Sequence, residues 1–508
     1  MWRGALNRLA RLEAILDRSG EPSRIEARLP SGGRPRQLGV RTLLLGILLA
    51  GSNDRPAQLT RVHEALVALE HRDQLRLGVL APWRGGPHPL TYRQVERTFS
   101  LVAFCLGPDS DGAPLCRFAD ALCEASVPTE YSDATTAYAV DWTDYATWAR
   151  PVAKDAVGTS ADPDASWGHR KSHAPGEPDC LFFGYYLQAA VMVAEEGDAP
   201  CPELIRRVTL DPCSVDPPSA MAASLRSMVE SGVAVGDVLA DSGYSFREPS
   251  RWAAPLRALG ARLVQDLHPH DRGPKGTFEG AVLANGSLFC PATPAALLQL
   301  GPLHRSATKA QIDDHDAKTA ELSRFRLGPI CAEDADGYQR VACPAAAGKI
   351  RCPLKPASLA LGFAHPEVLS PPMGSLPKCC AQATITVPVS VNLKTRQKHP
   401  YPSVVWRLSY RRRTAAERAF STLKDPSSTD VRRGSSRLMG RTKNLIMLTG
   451  AVVVRNIRIL DSFMRSKRQD ERRLARGLAP RTRTRRRRVL SDLVESPDPS
   501  PPAFFDTR

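Results

Sequence analysis

The chain of 508 residues has no G-x-x-x-x-G-K-[ST] segment, so a P-loop, with its cradle of backbone N–H groups for phosphate, is excluded. It has no C-x-x-C pair among its 12 cysteines, and the gaps between them are irregular, unlike the ligand spacing of zinc ribbons and fingers. Long apolar runs are also missing. The most apolar stretch, Thr42 to Ala50, is far shorter than the ~20 residues of a spanning helix. The first twelve residues, Met1 to Leu12, have an amphipathic helix pattern without the apolar core of a signal peptide. Membrane insertion is not expected, and a cytoplasmic placement is the simplest.

Positive charge is abundant. The net charge is +16 and the sequence pI is about 9.5, the footprint of a nucleic-acid partner or an anionic surface. Between Arg465 and Arg488 stand twelve Lys/Arg against Asp470 and Glu471, ten of the sixteen net charges. Such a run builds no core, so residues 465–508 are expected to be a disordered basic tail. It can grip phosphates through counterion release, or simply keep the protein in solution.

Upstream of the tail, Tyr410, Arg413, Glu417 and Lys424 follow the spacing Y-x2-R-x3-E-x6-K. On a straight α-helix, at about 100° per residue, the four share an arc of about 60°. Thr414 to Phe420 are good helix formers and Pro426 lies just beyond. An acid flanked by two cations and a phenol would then form one stripe. Taken alone, the stripe reads as a solvated charged face.

Two aspartates give it another meaning. Asp141 lies in Ala137 to Thr143, a short run that reads as a buried strand. Asp241 ends the apolar run Val238-Leu239-Ala240 and precedes the turn signal Ser242-Gly243-Tyr244. Either alone could be a turn or cap residue. Three converging carboxylates would repel one another unless cations neutralised them, and oxygen-only ligands suit Mg2+ or Mn2+. Two such ions can clamp the attacking and leaving oxygens of a phosphodiester.

Val140-Asp141-Trp142-Thr143, Ala240-Asp241-Ser242-Gly243-Tyr244 and the Tyr-Arg-Glu-Lys signature resemble the three blocks of DDE transposases of bacterial insertion sequences. The resemblance runs from about Tyr131 to Leu460. It implies an α/β fold: a ribonuclease-H-like catalytic core with an inserted domain before the glutamate helix, plus an N-terminal helical region. It further implies that Asp141, Asp241 and Glu417 are the catalytic, metal-binding triad, and that Tyr410, Arg413 and Lys424 contact the transposon end. Double-stranded DNA would be the partner, as terminal inverted repeats and target, bound by a homodimer in the nucleoid. The middle residue Trp142 is larger than is usual in the family; strand alternation should point it away from Asp141. A decayed or domesticated transposase that only binds DNA is the alternative.

The intervening sequence fits such a core, with strands over Leu181–Val193, Leu204–Leu210, the Asp241 run and Arg262–Leu267. Helices are expected over Ser219–Val229 and Trp252–Leu259, giving strand, strand, strand, helix, strand, helix, strand. The expected organisation is 1–130 helical and a candidate DNA reader, 131–268 and 406–464 the two parts of the core, 269–405 the inserted domain, and 465–508 the tail. In the helical region, Leu90 to Cys105 includes a helix that Thr91 can cap. The inserted domain shows strand alternation at Gly276–Leu283 and Thr384–Val391, and a helical pattern at Ala307–Leu322. It holds six cysteines, read as reduced core residues in preference to structural zinc. His169, Arg170 and Lys171 read as DNA-phosphate contacts on a hairpin, or as a plain basic turn.

Overall fold

The computed structural model describes residues 8–30, 32, 36–54, 58–83, 86–107, 113–151, 159–170, 179–304 and 306–481. The chain divides into two compact units, one of Met1–Asp266 with Tyr410–Arg465, the other of Leu267–Ser409 with Ser466–Arg508. The second unit thus interrupts the first between Asp266 and Tyr410.

The first unit is built on a six-stranded mixed sheet: β1 (Tyr138–Ala146), β2 (Ser166–Arg170), β3 (Cys180–Met192), β4 (Ile205–Pro212), β5 (Asp237–Ala240) and β6 (Arg262–Gln265). β3 is antiparallel to β1 on one side; on its other side β2 pairs with its first residues and β4 with the rest. Beyond β1 the sheet turns parallel, β1 to β5 and β5 to β6. Parallel neighbours need crossovers, and helices α1 (Pro217–Glu230) and α2 (Ala253–Ala258) supply them. Asp216 caps α1 by accepting from the Ser219 N–H at 3.2 Å, with Pro217 and Pro218 in the first turn, where no N–H is needed. Tyr138, Ala139, Val140 and all of β5 are buried, which explains their unbroken apolar sequence. The expected strands are present to within a few residues. β2 adds a strand where a basic hairpin was expected.

Two helices close the site's surroundings: α3 (Thr414–Leu423), packed on β1 and β3, and α4 (Arg441–Leu474). The buried Asn456 of α4 accepts from the Ile205 N–H and donates to the Ile205 carbonyl, both at 2.8 Å, satisfying β4 where an outer strand would leave backbone groups unpaired. Gly450 of α4 lies so close to helix Val40–Ser52 that a Cβ would come within 2.6 Å of Ile47. Arg206, 2 % exposed, pairs with Glu124 of helix Ala113–Ala125 at 2.7 and 2.8 Å and donates to the Tyr138 hydroxyl at 3.2 Å. The N-terminal helices therefore pack into the same unit as the sheet. Thr91 caps helix Tyr92–Leu106 in a capping box with Gln94.

The expected tail begins as helix. α4 runs on through Arg465 to Leu474, past the boundary expected from charge alone, because the Lys, Arg, Gln and Glu of this stretch are good helix formers. Residues 482–508 lie outside the described ones.

The second unit carries two small three-stranded sheets and helix Lys309–Phe325. Gly276–Leu283, expected as one strand, is a hairpin of Pro274–Phe278 and Ala281–Ala284. Its turn residues, Glu279 and Gly280, have φ of 50° and 83°, the left-handed pair that favours a tight reversal. Thr384–Val391 is strand only to Pro388 and then one 3-10 turn. Cys290, Cys343, Cys352, Cys379 and Cys380 are buried in the unit's cores as free thiols, while Cys331 is exposed. Among the described residues, no helix is long and apolar enough to cross a membrane.

Candidate active site

The parallel register of β1 and β5 sets the site. Tyr138 is level with Val238 and Ala139 with Leu239, so two residues on Asp141 stands level with Asp241. The same holds across the next pair: Ala240 is level with Gln265, and Asp266 follows beside Asp241. The Asp266 N–H donates to the Ala240 carbonyl at 3.4 Å. Asp141, just past the parallel pairing of β1, thus forms one row with Asp241 and Asp266, which directly follow β5 and β6.

Local hydrogen bonds orient the first two. Asp141 Oδ1 accepts from the Trp142 N–H at 2.8 Å, and Asp241 Oδ1 accepts from the Gly243 N–H at 2.9 Å, capping the turn that follows β5. That turn folds back over β1. The Trp142 ring therefore lies 4.5 Å from the Tyr244 ring, edge-on, and a Cβ on Gly243 would sit 2.5 Å from Trp142 Cη2. Trp142, expected to point away from Asp141, packs on the Asp241 turn. Tyr244 packs in turn, tilted by 44°, against Trp252, whose indole donates to Gln265 Oε1 at 3.0 Å.

The Tyr-Arg-Glu-Lys residues do not lie on one straight α-helix. Tyr410 ends helix Val404–Tyr410, Arg411–Arg413 form a 3-10 turn, and Glu417 lies in α3, with Lys424 just past its end. A 3-10 turn advances about 120° per residue, so over these three residues the four positions still fall within an arc of about 40°, and the expected common face is kept. Arg413, 7 % exposed, points into the acids: it donates to Asp141 Oδ2 at 3.2 Å and to Glu417 Oε1 at 2.5 Å. Its guanidinium lies 5.5 Å from the Tyr410 ring centre.

Lys424 reaches the next residues of β1, donating to Thr143 Oγ1 at 2.6 Å and pairing with Asp144 at 3.2 Å. Arg170 pairs with the same Asp144. His169 pairs with Asp179 at 3.0 Å across the β2–β3 hairpin, and Lys171 lies outside the described residues. Asp144 thus gathers two cations that the sequence pattern assigned to DNA.

Electrostatics follow from this packing. Burial and the neighbouring Asp241 carboxylate push Asp141 well above the ordinary carboxylate range, although Arg413 pulls the other way. Burial also raises Asp241, against Arg413 and the Gly243 and Tyr244 N–H groups. Burial would lower Arg413, but Tyr410, Asp141, Glu417 and Asp241 hold it above its usual value. Burial opposes the charge on Asp144, yet Lys424 and Arg170 keep its carboxyl low. The Tyr244 hydroxyl is fully buried with no hydrogen-bond partner, and burial together with Asp141 and Asp241 raises it far above a free phenol.

Among the described residues, no three His, Cys, Asp or Glu side chains are arranged to hold a metal ion. Asp141 and Asp241 come together as paired oxygen donors; Glu417 is joined to them through Arg413. Asp144 and Asp266 were not singled out from sequence.

Fold and site together define an α/β protein with carboxylates level across parallel strands and a buried arginine that joins one of them, Asp141, to Glu417. The chain matches no protein-family model and no curated protein sequence.

Proposed function

We propose that the protein is a DDE transposase, cutting and joining phosphodiester bonds at the ends of an insertion sequence with Mg2+ or Mn2+. The observation that carries this reading is the level placement of Asp141 and Asp241, with Arg413 spanning Asp141 and Glu417. On this reading the sheet and its crossovers are a ribonuclease-H-like core, and Leu267–Ser409 is the insertion before the glutamate helix. The partner would be double-stranded DNA, bound as a homodimer, in the cytoplasm and nucleoid.

The residues suit a hard divalent cation: two half-buried carboxylates whose mutual repulsion a divalent charge would relieve, beside a buried phenol with no partner. Asp141 and Asp241 would hold the cation, and Glu417 would join by exchanging Arg413 for it. When bound, such ions activate water and stabilise the attacking and leaving oxygens. The protein's own contribution is positional. The Trp142, Tyr244 and Trp252 rings brace the Asp241 turn against β1. Arg413 keeps the acids together without a metal, and its guanidinium, once released, has the fork geometry that grips phosphate. Lys424 and Arg170, on Asp144, place two more cations three residues along β1 from Asp141 for the DNA backbone.

An excision assay with a donor plasmid carrying the element's flanking repeats tests this. Asp141→Asn, Asp241→Asn and Glu417→Gln should each abolish metal-dependent excision while leaving repeat binding intact. Normal excision by any of the three defeats the assignment; wild-type binding without cleavage favours a domesticated, DNA-binding descendant.

A further inference from the structure

The β2–β3 hairpin carries large apolar side chains in the open. Trp167 is 54 % exposed and Leu181 67 %, and Trp148, just past β1, is 40 % exposed. Single exposed apolar residues are ordinary, but these belong to one strip. Trp167 is paired with Phe183 across the hairpin, the two rings edge-on and 5.7 Å apart. His169 pairs with Leu181 two residues on, so Trp167, His169, Leu181 and Phe183 share one face. On the other side of β3 the Thr147 N–H donates to the Phe183 carbonyl at 3.1 Å, so the chain at Trp148 passes directly beside Phe183. We propose that this strip binds the bases of an unpaired nucleic-acid strand. The proposal deepens the DNA reading above by naming the form of DNA taken, and rests on that reading only for the source of the strand.

Charge beside the rings favours a nucleotide over another apolar surface. The Arg437 guanidinium lies over the Trp148 ring, 5.1 Å from its centre, and a Cβ on Gly434 would sit 3.8 Å from Trp148 Cζ3. Arg433 donates from Nε to the Thr147 carbonyl at 3.2 Å. Both arginines are exposed, and among the described residues neither has a carboxylate partner. Arg170, which pairs with Asp144, ends the same strand that carries Trp167. Rings interleaved with cations match an unpaired strand: each base offers a flat face for stacking, and each phosphate a charge for a guanidinium. A duplex keeps its base faces inside the stack, so it would engage the arginines and leave the tryptophans unused. A second copy meeting this strip about a two-fold axis would bring the same arginines together with no acid between them. Thr147 lies about 20 Å along the extended chain from Asp141, within reach of a strand held at the acids.

The test compares oligo(dT) with an abasic phosphodiester of the same length, bound to the full chain in EDTA and read by fluorescence anisotropy. Both carry the same phosphates, so the arginines and the basic tail act equally on both, and only base stacking separates them. The wild type should hold oligo(dT) about tenfold or more tighter than the abasic chain. Trp148→Leu and Trp167→Leu, which keep apolar bulk without a π face, should each close most of that gap while affinity for the abasic chain and for duplex DNA is unchanged. Trp148→Phe and Trp167→Phe should restore part of it. Arg433→Gln with Arg437→Gln should weaken both oligomers and flatten the logarithmic salt dependence for oligo(dT) by about 1.4. Equal affinity of the wild type for the two oligomers overturns the proposal, and this comparison needs no variant to fold. An undiminished gap in both Leu variants overturns it as well; if those variants also lose self-association, the strip belongs to a second copy. Because no metal is present, a failed excision assay would sink the transposase reading and leave this gap where it is.

Discussion

Arg413→Gln exposes what holds the acids together when no metal is bound. Arg413 and Asp141 have side-chain exposures of 8 % and 14 %, so their pair is buried, whereas Glu417 at 42 % is well solvated. Removing one partner of a buried pair costs about 3–5 kcal/mol, and a solvated pair contributes about 0–1 kcal/mol. Glutamine keeps one hydrogen-bonding arm, so the loss should be on the order of 3 kcal/mol at pH 8 in EDTA. For a unit of this size that lowers the unfolding temperature by roughly 4–5 °C. A divalent cation should then replace the missing charge. Mn2+ at about 100 times its dissociation constant adds about 2.7 kcal/mol, close to the whole deficit. The wild type should gain less, because Arg413 competes with the cation for Asp141 and Glu417. Lowering the pH to about 5 should also shrink the deficit, since Asp141 and Asp241 take up protons more readily than ordinary carboxylates. Thermal unfolding of both proteins, in EDTA and in Mn2+ at two pH values, measures all of this. A deficit of the same size in all four conditions would refute the reasoning and make Arg413 a packing residue only.

Three further outcomes are expected. Asp144→Asn frees Lys424 and Arg170, so affinity for random duplex DNA should rise and its logarithmic salt dependence should steepen by about one; filter binding across a salt series reads both. Gly243→Ala drives a Cβ into the Trp142 ring, so excision should fall at least tenfold with a stability loss of about 1–3 kcal/mol, checked by donor-plasmid assay and urea unfolding. In EDTA, the stability of the wild type relative to the Asp141→Asn/Asp241→Asn double variant should fall as pH rises from about 4 to 8. The two carboxyls have raised values in the folded state, so their contribution is full below the unfolded value near about 4 and is lost through the raised ones; urea midpoints across that range test the sign.

Much of the first unit was legible because its signals are local. The apolar runs around Asp141 and before Asp241 are buried strands, and the Asp216-Pro217-Pro218 start of α1 is a cap and first turn that need no tertiary partner to be recognised. The reversal at Glu279-Gly280 was missed because a strand pattern continues on both sides of it, and only the positive φ values reveal the turn. The common face of Tyr410, Arg413, Glu417 and Lys424 was legible from spacing, whereas the tightening of Arg411–Arg413 into a 3-10 turn was not, because residue spacing does not record it.

By itself the sequence determined which segments are strands and helices, where charge gathers, and which acids adjoin buried strands, because periodicity and turn chemistry act over a few residues. Only the tertiary structure decided that Asp141, Asp241 and Asp266 share one row, that Arg413 points inward to the acids, and that Asp144 holds Lys424 and Arg170. Those relations depend on parallel register and on contacts such as Arg413 with Asp141 and Lys424 with Asp144, 272 and 280 residues apart in the chain, which the order of strand pairing sets.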